Sequence, residues 1–260
     1  MDFSISILFG AIQGITEFLP ISSSGHFVIL KDLFNIENKG SFLFNIFVHL
    51  GTLVAIIYYY ADDIKSLLKG ILLKEQKSII YLFFIIIATL PVALIGIVFN
   101  NQIKALNNIE WVSYFLLITG LVVFLSKFTK EKNMKLNYLD IIVIGFSQAI
   151  AILPGISRSG MTITAALLLG INRQEASKLS FFMAIPAILG ATFLETMKIN
   201  SLESINIMSL IIGFGTAVIV GYFSISWLIK LINKLYFWRF SFYAWVVGLI
   251  ILISDYYGKN

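Results

Sequence analysis

Gly10-Ala11-Ile12-Gln13-Gly14-Ile15-Thr16-Glu17-Phe18-Leu19-Pro20-Ile21-Ser22-Ser23-Ser24-Gly25 is an apolar helical run that breaks at a proline into a serine and glycine loop. The pattern returns at an offset of 135 positions, as Gly145-Phe146-Ser147-Gln148-Ala149-Ile150-Ala151-Ile152-Leu153-Pro154-Gly155-Ile156-Ser157-Arg158-Ser159-Gly160. At that offset Gly10, Gln13, Ile15, Ile21, Ser22, Ser24 and Gly25 meet identical residues. The copies differ in their charged groups. The first adds Glu17 and His26, and the second adds Arg158. A duplicated helix breaker with complementary polar groups in its copies points to one composite site built from both halves.

The surrounding chain is that of a membrane protein. Its 260 residues are 58% hydrophobic and 13% charged, with a mean hydropathy of +0.91. A soluble domain carries about 25% charged residues. Apolar runs near 44–60, 79–99, 111–128, 180–197, 207–229 and 241–254 read as six full spans. Two further apolar regions, 3–34 and 138–170, are interrupted by the loops, and neither arm of either region is a comfortable span. Non-helical backbone at membrane depth is tolerated only inside protein or beside a wet cavity. The regions are therefore predicted to be re-entrant helix–loop–helix hairpins, each followed by three spans. Three is odd, so the second hairpin enters from the opposite face. The expected fold is an all-α polytopic membrane protein with an inverted-topology repeat. It forms a single integral domain over 1–260, with halves at about 1–130 and 131–260.

Charge gives the orientation. Of 19 Lys and Arg, 13 fall on one side: Lys65, Lys69, Lys74, Lys77, Lys127, Lys130, Lys132, Lys135, Arg173, Lys178, Lys230, Lys234 and Arg239. Lys31, Lys39, Lys104, Lys198 and Lys259 fall on the other, with Arg158 inside the second loop. The positive-inside rule makes the richer side cytoplasmic, so both termini and the first hairpin are expected to face outward. This bias accounts for the net charge of +5 without nucleic acid as a partner. The stretch 61–78 reads either as a basic amphipathic segment on the cytoplasmic surface or as a solvated loop. Trp111, Trp227, Trp238 and Trp245 fit an aromatic belt. Glycines at 96, 120, 213, 215 and 221 suggest close helix contacts. No cleavable leader is expected, and the absence of Cys excludes disulfide and thiolate chemistry.

Ionisable groups inside a membrane are costly, so each is a functional candidate. Gln13 and Glu17, four apart, share one helix face. They can hold a hard divalent ion with substrate phosphate completing its shell, or Glu17 can be a carboxylate hydrogen-bonded to its own loop. Ser22, Ser23, Ser24 and Gly25 read as an anion pocket at a helix start, with His26 as general base or nucleophile. Helix capping is the plainer use of such serines. Arg158, between Ser157 and Ser159 and ahead of Gly160, needs an anion, either Glu17 or a substrate phosphate. His49 reads as a satisfied core histidine, and Asp140 as interfacial.

At these residues the chain resembles the undecaprenyl-diphosphatase, or bacitracin-resistance, family. The resemblance rests on Gln13-Gly14-Ile15-Thr16-Glu17-Phe18-Leu19-Pro20-Ile21-Ser22-Ser23-Ser24-Gly25-His26 and on Pro154-Gly155-Ile156-Ser157-Arg158-Ser159-Gly160. It extends over essentially the whole chain in length, span order and repeat. It implies hydrolysis of undecaprenyl diphosphate to the monophosphate at the outer face of a bacterial plasma membrane, recycling the carrier for peptidoglycan and other envelope polymers. It also implies a divalent cofactor, Mg2+ or Ca2+, held by Glu17 and Gln13, and leaves a homodimer open. Gln13 stands where the family pattern accepts Glu or Gln, and Ser24 where relatives often have Thr. The expected mechanism has Ser23 attacking the terminal phosphorus with His26 as base, while Arg158, the loop N–H groups and the ion offset charge; direct attack by His26 is the alternative. Ser22, Ser24, Gly25, Ser157, Ser159 and Gly160 are expected to bind substrate.

Three rivals fit parts of the pattern. A polyprenyl-phosphate transporter or flippase would share the broken helices. A phosphatidic-acid-type phosphatase shares a Ser-Gly-His and an Arg, but its Lys-x6-Arg-Pro run and later His-x3-Asp are missing here: the only histidines are His26 and His49, and position 53 is Leu. A purely structural scaffold would leave the buried Glu17, His26 and Arg158 without a purpose.

Overall fold

A computed structural model describes residues 3–34, 41–132, 136–197 and 206–258. Lys39, Lys135, Lys198 and Lys259 of the charge pattern lie outside the described residues. Twelve α-helices follow in order: α1 (Phe3–Thr16), α2 (Ser23–Leu33), α3 (Ser41–Tyr59), α4 (Ala61–Leu72), α5 (Gln76–Val98), α6 (Asn100–Ala105), α7 (Ile109–Leu125), α8 (Tyr138–Ile150), α9 (Arg158–Leu168), α10 (Arg173–Thr196), α11 (Ile207–Asn233) and α12 (Phe240–Gly258). No strand occurs among the described residues.

Among them, five helices are long and apolar enough to cross a membrane, and a sixth span arises if α3 is counted with α4, bent from it by 75°. These six are the spans read from the sequence. One begins earlier than its apolar stretch: α10 starts at Arg173, not near 180, because the Asn172 side chain caps it by accepting from Glu175 N at 2.8 Å. Of the 61–78 stretch, residues 61–72 form helix α4, with Leu68 and Leu72 exposed and acidic residues in its first turn, and the last three open α5.

The hairpin helices are short. α1 and α8 have 14 and 13 residues, about 20 Å each at 1.5 Å per residue, against a hydrocarbon core of about 30 Å. Both copies stop at their loops. Asp140 belongs to a capping box with Asn137 at the start of α8, so its carboxylate serves the helix end.

The packing repeats with the sequence. α1 lies on α11 as α8 lies on α5, and α3 lies on α11 as α10 lies on α5. α7 pairs with α12, and α3 with α10. Exchanging the halves turns each of these pairs into itself or another of the set. The first helix of each hairpin therefore rests on a long helix of the opposite half.

Lipid tails are as apolar as the helices, so close packing does the work that water does elsewhere. A Cβ on Gly10 would meet the Gly213 carbonyl oxygen at 2.5 Å, and one on Gly14 would meet Gly221 N at 2.8 Å. Gly120 lies under the Trp245 ring, whose Nε1 donates to the Leu117 carbonyl at 3.1 Å. Trp245 thus joins α7 to α12, where the sequence suggested a belt. Gly215, expected to mark a contact, has open space instead. Gly10→Ala should destabilise the protein by about 1–3 kcal/mol through overpacking. The check is a lower thermal unfolding midpoint in detergent, with Gly215→Ala as the silent comparison.

Candidate active site

The first loop leaves α1 at Thr16. The Glu17 N–H still donates to the Gln13 carbonyl at 3.0 Å, so Glu17 stays on the helix face of Gln13. Phe18, fully buried, packs edge-on against Phe181 of α10 with ring centroids 5.7 Å apart, and this anchors the loop. Ser22 then caps α2: its Oγ accepts from Gly25 N at 3.2 Å. Its φ of 69° is unusual for a residue other than glycine.

The second loop repeats this chemistry. Ser157 caps α9 by accepting from Gly160 N at 3.1 Å, and Ser157 and Ser159 hydroxyls pair at 3.2 Å as Ser22 and Ser24 do at 3.3 Å. Gly155 has φ 102°, and a Cβ there would meet the Val112 carbonyl oxygen at 2.7 Å, so only glycine fits this turn. Thr119 of α7 locks the loop, donating to the Gly155 carbonyl at 2.8 Å and accepting from Ser157 N at 3.1 Å.

Three contacts join the loops. Ser159 Oγ donates to the Leu19 carbonyl at 3.3 Å. A Cβ on Gly25 would lie 3.1 Å from Gly155 Cα. Arg158 Nη2 meets Glu17 Oε1 at 2.9 Å, with side chains 15% and 9% exposed. Glu17 is also the hub of its own loop: its Oε2 accepts from Ser23 Oγ at 2.8 Å and from Gln13 Nε2 at 3.1 Å. Arg158 Nη1 donates to the Ser180 carbonyl at 3.1 Å. Arginine has five N–H donors, so the guanidinium keeps others for an anion.

The expected site residues divide into two groups. Glu17, Ser23 and Arg158 form one hydrogen-bonded chain across both halves. Ser22 and Ser157 are 2% exposed and Ser159 is 0% exposed; with the buried Gly25 and Gly160 they hold the loops and do not line an open pocket. The expected anion pocket therefore narrows to Ser23, Ser24 and Arg158. The reason is that helix starts leave N–H groups needing partners, and these serines meet that need first.

His26 also differs from expectation. Its Nδ1 lies 2.7 Å from the Ser22 carbonyl oxygen, and its Nε2 lies 2.7 Å from the Tyr243 hydroxyl of α12. Both ring nitrogens are occupied, and neither bonds Ser23. Ser23 Oγ donates instead to Glu17. Tyr243 was missed because it lies 217 positions away and looks in sequence like any interfacial aromatic. Gln148, the counterpart of Gln13, donates to the Ala88 carbonyl at 3.2 Å and joins α8 to α5 outside the site. His49 is half-buried, with Nδ1 2.8 Å from the Asn45 carbonyl oxygen, as a satisfied histidine should be.

Gln13 and Glu17 are the oxygen-bearing side chains here that could hold a divalent ion. Gln13 is fully buried and its Oε1 has no partner, beside the Glu17 carboxylate. Oxygen donors of this kind suit Mg2+ or Ca2+. Among the described residues, no three His, Cys, Asp or Glu gather around one point, so phosphate and water would supply most of the shell.

An apolar groove of about 570 Å3 opens beside the site. Its walls include Ile12, Ile15, Leu19 and Ile21 from the first hairpin and Trp227, Leu231, Phe240 and Tyr243 from the last helices, with His26 and Arg239 among its polar members.

A family model described as "Bacitracin resistance protein BacA" matches residues 6–250. The chain belongs to the BacA family. Relatives named undecaprenyl-diphosphatase share its full length. One from Methanobrevibacter smithii is 36% identical over 98% of both chains, and one from Carboxydothermus hydrogenoformans is 39% identical over 98% of both. One from Thermosipho africanus is 42% identical over 94% of this chain and 97% of its own. The BacA match spans both loops and the groove-lining helices.

Proposed function

We propose that this BacA-family protein hydrolyses undecaprenyl diphosphate to undecaprenyl phosphate and inorganic phosphate, as its relatives' names describe. The observation that carries this reading is the Ser23–Glu17–Arg158 chain spanning two loops beside an apolar groove. A lipid diphosphate matches both parts. The isoprenoid chain would lie in the groove, and the diphosphate between the loops. The product is the carrier reused in building cell-envelope polymers, and faster removal of the diphosphate would protect a cell from bacitracin.

In the first step Ser23 Oγ attacks the terminal phosphorus and Glu17 takes its proton. The bond from that phosphorus to the bridging oxygen breaks, and undecaprenyl phosphate leaves. Arg158 offsets charge on the transferred phosphoryl oxygens. In the second step water attacks the phosphoserine and Glu17 returns a proton to Ser23, while the proton that the water gives up passes to the hydrogen-bonded His26–Tyr243 pair. Glu17 and Gln13 would hold a divalent ion, which when bound supplies further positive charge to the diphosphate.

We place both termini and the mouth of the first hairpin on the outer face, with the hairpins in inverted orientation. The charge bias and the exchange symmetry of the packing support this. Purified protein in detergent should release phosphate and undecaprenyl phosphate in equal amounts, and a chelator should suppress both. Transport of undecaprenyl phosphate into vesicles, with no phosphate released by folded, metal-supplied protein, would favour the transporter reading instead.

A further inference from the structure

α2 and α12 make no close backbone approach, and they meet through side chains: Val28 and Ile29 of α2 pack on the same apolar cluster as Val247 and Ile251 of α12. A hydrogen bond also joins them, from the Tyr243 hydroxyl to His26 Nε2 at 2.7 Å, with the two rings nearly parallel at 11°. Both residues line the apolar groove. The bond therefore crosses between the groove's two walls where the groove meets the loop of Ser23.

The partners fix the state of the imidazole. A carbonyl oxygen only accepts, so His26 Nδ1, 2.7 Å from the Ser22 carbonyl, carries a proton. In the neutral ring Nε2 is then the acceptor, and the Tyr243 hydroxyl donates to it. Without that hydroxyl the ring keeps only its backbone partners, Ser22 and Ile21 of its own loop, and loses its bond across the groove. Tyr243 is 44% exposed, so its ring is a wall of the groove while its hydroxyl reaches the histidine.

We infer that the Tyr243 hydroxyl tethers His26 in one orientation and, at the junction of the groove and the phosphate site, passes its proton to Nε2 as it takes one from the attacking water. This rests on the phosphatase reading above. It acts through His26 in the second step, the attack of water on the phosphoserine. A chain seated in the groove would lie against the same tyrosine ring, so the residue that reads the lipid also orients the base.

The test is Tyr243→Phe, which keeps the ring and removes only the hydroxyl. With undecaprenyl diphosphate as substrate, kcat should fall by up to about 100-fold, the cost of a misplaced catalytic group, and KM should fall with it, leaving kcat/KM near that of the unaltered protein because only the second of two steps is slowed. Phosphoserine should build up in rapid-quench samples, because only its hydrolysis is slowed. In a His26→Ala background the same change should cost nothing more. Unchanged kcat in Tyr243→Phe would overturn the inference, as would a loss confined to KM or one without phosphoserine build-up. No phosphate release from the unaltered protein would be failure of the phosphatase reading itself, which this comparison separates from failure of the tyrosine's role. Tyr243→Leu, which also removes the groove wall, should lower kcat/KM in addition to kcat; a rise in KM alone would assign Tyr243 to lipid contact only.

Discussion

Arg158→Ala should lower phosphate release from undecaprenyl diphosphate by about a thousandfold or more, the range lost when a transition-state arginine is removed. The guanidinium has one contact to each neighbour that matters, Glu17 Oε1 at 2.9 Å and the Ser180 carbonyl at 3.1 Å. Its other N–H groups are the strongest positive donors at the site. The same change strips the buried Glu17 of its ion-pair partner, and breaking such a pair costs about 3–5 kcal/mol. Arg158→Lys separates the two effects. It keeps a positive charge near Glu17 but loses the planar fork, so it should fold more stably than the alanine variant and still turn over far more slowly than the unaltered protein. Folding is read from unfolding midpoints and monodispersity in detergent. Near-normal turnover in a folded Arg158→Ala protein would reduce the arginine to a structural tie between the halves.

Glu17→Gln should lower kcat by about 100- to 10,000-fold, the usual worth of a positioned general base. Glutamine keeps the shape and can still accept from Arg158, but it does not take the Ser23 proton. Ser23→Ala should cost as much or more by removing the attacking oxygen. The two residues act as a unit, so the double variant should be no slower than the worse single one. His26→Ala is expected to slow the second step, leaving more phosphoserine. Additive losses for Glu17→Gln and Ser23→Ala would mean that they serve separate steps.

Much of this site was legible because charge is scarce in an apolar chain. Glu17, His26 and Arg158 stand out as ionisable residues inside the broken helices, and the repeat offset places the first and last at opposed loops. Their meeting at 2.9 Å is one of the two partnerships the sequence left open for Arg158, the other being a substrate phosphate. The helix breaks were equally plain, since a proline followed by serines and glycine cannot continue an apolar helix. The direction of each serine was not. Ser23 opens α2 and points back to Glu17, while Ser22 and Ser157 turn inward as caps, and all three look alike in sequence. His26 sits three residues beyond Ser23, yet its ring folds onto the Ser22 carbonyl and across to α12. Tyr243 carries no local signal, because its role depends on a helix arriving from the far end of the chain. The polar start of α10 was hidden for a different reason. Apolar periodicity marks where a helix meets lipid, whereas Asn172 extends this one by a cap.

Single-turnover quench with undecaprenyl diphosphate labelled on its terminal phosphorus tests most directly that chemistry begins at the Ser23–Glu17–Arg158 chain. Acid-stable label on Ser23, strongest in His26→Ala and absent from Arg158→Ala, is the expected result. Label on His26, or phosphate released with no labelled protein in any variant, would contradict it.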